Sequence, residues 1–152
     1  MKPDLFLTRT LRSHPRGYSI ARILSAALDA VEPGEAVRRY LSIDNGTLWL
    51  AGNPMEVKGK VYILGVGKAA AAMTRAVVDV LGPRLYAGLV VTKHKPEKPI
   101  PGVEIIEGGH PIPDERSLDA GKRVAEFVGS LVEDDLLICL ISGAALHWWF
   151  LQ

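Results

Sequence analysis

Apolar and polar residues fall in blocks along this chain, and the period of the pattern changes from block to block. From Gly17 to Val31 the apolar positions Ile20, Ile23, Leu24, Ala27, Leu28 and Val31 recur at helical spacing, with Ser19 placed to cap the start. Glu32-Pro33-Gly34 interrupts that period, and Pro33 suits the first position of a second, shorter helix through Tyr40 and Leu41. Asp44-Asn45-Gly46 is a tight-turn signal between Ile43 and the strand-like Thr47–Leu50, and a second turn follows at Gly52-Asn53-Pro54. Residues 43–58 therefore predict a small hairpin that precedes the main sheet, with Trp49 packed on a neighbour rather than on a ligand.

The pattern then becomes that of buried strands alternating with helices. Val61, Ile63 and Leu64 form a short apolar run that passes through Gly65-Val66-Gly67-Lys68 into Ala69–Ala72, a strand feeding directly into a helix that ends near Leu81-Gly82-Pro83. Ala87–Thr92 is a second buried strand, followed by the basic, proline-rich loop Lys93–Pro99. Val103–Ile106 is a third strand and runs into Gly108–Pro113. Asp114 precedes a helical pattern through Leu118, Val124, Phe127, Val128 and Leu131, which Glu133–Asp135 ends. The last strand, Leu136–Ile141, is wholly apolar, the mark of a central strand in a parallel sheet, and it leads into Ser142-Gly143. Helices alternating with apolar strands predict an α/β fold, a three-layer Rossmann-like parallel sheet with flanking helices. Residues 1–16 read as an arm or a short irregular helix, and 17–143 as the α/β domain.

Composition narrows the function classes. The chain has 152 residues, 48% of them hydrophobic, enough for one real core. Lys plus Arg number 18 against 17 Asp plus Glu, so overall charge gives no reason to expect nucleic acid or an anionic membrane as partner, and any anion preference is local. No apolar run approaches membrane-spanning length, and the N-terminus lacks the apolar core of a secretory signal. The single cysteine, Cys139, fits a reduced compartment and a buried, inert thiol. These features predict a cytoplasmic, soluble protein.

The chemistry concentrates at the strand ends. The Gly65–Lys68 turn leaves helix N-terminal N–H groups without partners and adds a positive charge beside them, which suits a phosphate or a carboxylate. A nucleotide P-loop would need glycine at position 62 and a hydroxyl at 69, where the chain has Tyr62 and Ala69. A dinucleotide fingerprint also matches poorly, because Ala70 follows the glycines and no acid for a ribose follows Thr92. That argues against NAD and leaves NADPH only Lys93 and Lys95. His14, His94, His110 and His147 are scattered, so no side-chain metal cluster is predicted. Gly65–Lys68, Gly108–Asp114 and Ser142-Gly143 all follow strands and would converge on one sheet edge, which makes His110, Asp114, Ser142 and Gly143 candidates for the same binding site as Gly65, Gly67 and Lys68.

Taken in order, Tyr62–Ala70, Val90–Lys93, Glu107–Asp114 and Leu140–Gly143 resemble the glycerate 2-kinase family, some members of which are labelled hydroxypyruvate reductases. The resemblance covers residues 17 to 143 and implies phosphoryl transfer from ATP, with Mg²⁺, to the 2-hydroxyl of D-glycerate, giving 2-phosphoglycerate. It also implies two domains around a cleft, of which this chain carries part of the first, so the sheet is expected to be incomplete and the chain alone inactive. Lys68 falls on the family's functional lysine, where positive charge would serve the transferring oxygens. The alternatives are a non-catalytic phosphosugar-binding module and an NAD(P)H-dependent hydroxypyruvate reductase.

The resemblance stops at Ser142-Gly143. Where the family continues Ser-Gly-Gly-Gly-Ser-Ala-Leu, this chain reads Ser142-Gly143-Ala144-Ala-Leu-His-Trp-Trp-Phe-Leu-Gln152. Codons for His147–Phe150, read from the third base, encode Leu-Val-Val, so residues 144–152 are expected to be an aberrant, out-of-frame tail. Sequencing the gene past the codon for residue 143 tests this.

Overall fold

The computed structural model describes residues 1–109 and 112–143, and two sheets organise it. The expectations that concern His110 and the tail 144–152 lie outside the described residues. The first sheet has three antiparallel strands, β1 (Leu41–Asp44), β2 (Thr47–Leu50) and β3 (Asn53–Met55). Asn45 and Gly46, both at positive φ, make the first tight turn as expected. The second turn sits at Ala51-Gly52, one step earlier than the sequence suggests, and frees Asn53–Met55 to add the third strand. Pro54 is tolerated there because β3 is an edge strand. Trp49 lies half-buried, with Ser42 and Pro54 as its cross-strand partners.

The second sheet is parallel and runs β6-β5-β4-β7, with β4 spanning Val61–Val66, β5 Leu85–Thr92, β6 Val103–Glu107 and β7 Leu136–Ile141. All six residues of β4 are buried. Alternation along that strand separates two cores. Val61 and Ile63 join Ala76, Val77 and Leu81 of helix α4 (Ala70–Leu81) and Leu41 and Leu48 of the small sheet. Tyr62, Leu64 and Val66 join Leu89 and Phe127, the latter from helix α5 (Glu115–Gly129), on the opposite face. Tyr62 meets Phe127 and Tyr86 edge-on, at centroid distances of 5.7 and 5.2 Å. One helix on each face of a parallel sheet gives the expected three layers.

Three expectations change. Strand β7, expected to be central, pairs among the described residues only with β4 and so stands at the edge of these four strands. Its apolar run reports one well-packed face, on which Leu140 is buried, while Cys139 and Ile141 point to the other face and are exposed. Cys139 is therefore not a buried thiol, although its apolar surroundings still push its pKa up. The third change concerns the N-terminal helices, which are α1 (Arg9–Ser13), α2 (Gly17–Ala30) and α3 (Pro33–Tyr40). Helix α2 buries Gly17, Ala21 and Ser25 and leaves Ile20, Ile23, Leu24, Leu28 and Val31 exposed, because its small-residue side, not its apolar stripe, meets the N-terminal segment. Ser19 lies inside this helix, and Arg16 occupies the N-cap without a side-chain bond. Pro33 begins α3 as predicted, after Glu32 caps it by accepting from the Glu35 N–H.

Candidate functional site

The order of the parallel sheet fixes where a site can form. From β4 the chain moves through α4 to β5 and on to β6, then returns over the opposite face through α5 to β7 on the other side of β4. Ligands bind α/β sheets at such a reversal, outside the carboxyl ends of the two strands that flank it. Here those ends are Val66-Gly67-Lys68 and Ile141-Ser142-Gly143.

The two ends are joined. Ser142 N–H donates to the Val66 carbonyl at 3.0 Å, continuing the β4–β7 ladder by one residue. Ser142 Oγ accepts from the Ala69 N–H at 3.2 Å. Ala69 is the N-cap of α4, and its own N–H is satisfied from 73 residues away by the serine hydroxyl, while no side-chain cap reaches the first N–H groups of the helix. Gly67 allows this approach: its φ is +112°, and an added Cβ would fall well inside contact distance of Ser142 Oγ and 3.0 Å from the Ser142 carbonyl oxygen. The Gly67 N–H donates to the Val91 carbonyl at 2.9 Å, tying the turn to β5 as well. Lys68 stands exposed on this pinned turn, and among the described residues no carboxylate forms an ion pair with it.

Gly65 plays a different part. It is buried within β4, and an added Cβ would lie 2.9 Å from Thr74 Oγ1 and 3.0 Å from Val90 Cγ2. Its missing side chain lets α4 lie close to the sheet beneath the turn. Gly143 is exposed beside Ser142, and an added Cβ there would meet nothing among the described residues.

Asp114 stays at the same edge with its carboxylate already engaged. Oδ1 accepts from the Ser117 N–H at 3.2 Å, while Ser117 Oγ accepts from the Asp114 N–H at 3.3 Å, a reciprocal capping box at the start of α5. Oδ2 accepts from Arg116 Nε at 2.8 Å. The Arg116 guanidinium, helped by the Ser117 and Gly109 amides, holds this carboxyl below its ordinary pKa. A lowered folded-state pKa gives stability that is full above the unfolded value and lost as pH falls through the folded one. Asp114→Asn keeps the cap and removes the charge. The wild-type advantage over it in urea midpoint is therefore expected to be constant near neutrality and to shrink below about pH 4. An advantage that persists at pH 2 would contradict this.

Ser117, which the sequence places in the first turn of the helix, Glu107, which opens the Glu107–Asp114 motif, and Arg75, which the sequence did not single out, hold the neighbouring loops. Buried Ser117 accepts from the Gly109 N–H at 2.9 Å, and Glu107 Oε1 accepts from the Lys95 N–H at 2.7 Å. Ser117, three residues after Asp114, was a readable signal as the far half of a capping box. Arg75 donates to the Lys98 carbonyl at 2.8 Å, a contact with no local signature.

No group of three or more His, Cys, Asp or Glu among the described residues could hold a metal ion. Glu107 and Asp114, the strand-end carboxylates of this edge, are bonded as above. A cavity of about 610 Å³ lies at the opposite end of β4, lined by Leu48, Met55, Val61, Leu81 and Arg84 among others. The Arg84 guanidinium there donates to the Gly46 carbonyl at 2.6 Å, which makes it a brace between the sheets. No helix among the described residues is long and apolar enough to cross a membrane.

The family model "Domain of unknown function (DUF4147)" matches residues 19–147. The chain is 36% identical to a glycerate 2-kinase of Pyrococcus horikoshii over 80% of its own length and 27% of that protein's. It is 38% identical to a D-glycerate 2-kinase of Thermotoga maritima, over 80% of this chain and 26% of that one. A protein of Agrobacterium vitis that carries a hydroxypyruvate reductase name is 36% identical over 82% of this chain and 26% of its own. Among solved structures, a Pyrococcus horikoshii protein superposes with a TM-score of 0.73 at 36% identity, covering 81% of this chain and 28% of that one. A Thermotoga maritima glycerate kinase superposes at 0.64 and 35%, over 81% and 27%. The chain thus spans about a quarter of the length of the curated relatives it matches.

Proposed function

Since the chain belongs to the DUF4147 family and, over the stretch it shares with them, to the family of the glycerate kinases, we propose that it forms one wall of a site that transfers a phosphoryl group from ATP to the 2-hydroxyl of D-glycerate, yielding 2-phosphoglycerate. The observation that carries this reading is the Gly67-Lys68-Ala69 turn at the β4/β7 reversal, held from across the sheet by Ser142. Phosphoryl transfer asks for positioned positive charge more than for covalent help. Lys68 offers an ammonium group on a backbone anchored at both sides, so little reorganisation is needed when charge develops on the moving oxygens. In this reading the remaining groups of the site, Mg²⁺ ligands included, would correspond to the stretches of the relatives that this chain does not match. Mg²⁺, when bound with ATP, would neutralise phosphate charge.

The reductase reading finds less support at the same edge. A ribose-binding carboxylate is wanted at the end of the strand after the glycine turn, and β5 ends in Thr92 followed by Lys93.

The purified chain with ATP, Mg²⁺ and D-glycerate is expected to make no 2-phosphoglycerate, and turnover by it would refute the division of labour proposed here. The positive test is a graft of residues 19–143 in place of the matching stretch of the Thermotoga maritima kinase. That hybrid is expected to turn over, and Lys68→Ala within it to lower kcat by about 10²–10³. A cooperatively folding hybrid without activity, or one indifferent to Lys68→Ala, would sink the reading.

A further inference from the structure

Four lysines stand at the carboxyl edge of the parallel sheet in a chain whose net charge is only +1. Lys68 follows β4, and Lys93, Lys95 and Lys98 lie in the loop after β5. The register pairs Val66 with Val91 and the Gly67 N–H reaches the Val91 carbonyl, so Lys68 and Lys93 each lie two residues past a paired position, on adjacent strands. None of the four joins an ion pair among the described residues. Glu107, the carboxylate at the end of β6, accepts from the Lys95 backbone instead, and the exposed Glu97 is the only acid within the loop.

The loop is built to hold this charge in place. Thr92, at its start, is 2% exposed and its carbonyl accepts from the Gly108 N–H at 3.1 Å; Ile100, at its end, is also 2% exposed. Glu107 grips it from β6 and Arg75 from α4. Pro96 and Pro99 remove backbone freedom between those anchors. Fixed like charges without counter-ions cost self-repulsion, which an anionic ligand relieves. A single carboxylate or phosphate needs only Lys68. A second bank of three cations, one strand further along the edge, matches a chain of phosphates.

We infer that the Lys93–Lys98 loop is the binding wall for the triphosphate chain of a nucleotide, standing beside Lys68 across the ends of β4 and β5. The nucleotide as the source of that chain rests on the kinase reading above; the polyphosphate chemistry does not.

Titration calorimetry on the 152-residue chain at low ionic strength tests this with sodium tripolyphosphate, ATP and AMP as probes. Tripolyphosphate and ATP are expected to bind, AMP far more weakly, and binding to fall as salt is added. The variant Lys93→Ala/Lys95→Ala/Lys98→Ala keeps every backbone bond of the loop and is expected to lose about tenfold or more in affinity for tripolyphosphate. The same three positions as arginine should restore it. Trimming Lys2, Lys58 and Lys122 to alanine removes the same net charge elsewhere and should leave affinity near wild type. Equal losses in the loop and control variants, or no tripolyphosphate binding by the wild-type chain, would overturn the proposal. Tripolyphosphate binding that depends on the loop, with ATP excluded, would uphold the polyphosphate wall and remove the nucleotide. The hybrid enzyme keeps the two questions apart: loss of its activity strikes the kinase reading and leaves the loop measurement standing.

Discussion

Gly67→Ala is expected to lower stability by about 2–4 kcal/mol, combining a backbone conformation that side chains rarely adopt with a contact that has no room. At φ +112° the new methyl group would drive into Ser142 Oγ. The serine can rotate away only by giving up the Ala69 N–H, and the Ser142 carbonyl oxygen, 3.0 Å from the same methyl, is backbone and yields only if the end of β7 shifts. The damage therefore reaches the start of α4 and the orientation of Lys68. Pairing the change with Ser142→Gly separates the two costs. Relief of the clash without relief of the backbone strain should recover part of the loss, read as a shift in urea midpoint at constant slope. A Gly67→Ala protein as stable as wild type would mean that the turn is not held as described.

Ile63→Ala is expected to cost about 2–5 kcal/mol, whereas Ile141→Ala should stay within about 0.5 kcal/mol. Both residues sit in apolar strands of one sheet, and local sequence hardly separates them. Ile63 is fully buried between β4 and α4, so truncation leaves a cavity that close-packed neighbours cannot fill. Ile141 is 64% exposed at the end of an edge strand and loses little. Chemical denaturation of the two variants measures the difference, and similar costs would contradict the edge position of β7.

Most of the α/β layering is readable from local chemistry. Gly-Lys between an apolar run and four alanines announces a strand, a turn and a helix, and Asp114 announces the start of α5. Lys68 is legible for the same reason, since its neighbours alone define the turn. What local pattern cannot supply is the partner across a gap. Nothing near Ser142 shows that its hydroxyl will accept from the Ala69 N–H, 73 residues earlier, and nothing near Arg75 points to the Lys98 carbonyl. The apolar periods of α2 and β7 likewise promised covered surfaces. Periodicity reports what a face could bury, and only the tertiary arrangement decides whether a neighbour is there.

The Ser142 contact also orders events in time. A chain synthesised from its N-terminus has β4, α4, β5 and β6 available well before residue 142 exists. Until then the Ala69 N–H has no serine to meet, and Gly67 is free of the crowding that makes its conformation obligatory. The lysine turn, though it is the first strand–helix junction of the parallel sheet to be made, takes its final form only when the last strand arrives. Vectorial folding thus leaves the lysine turn unfinished until β7 is in place.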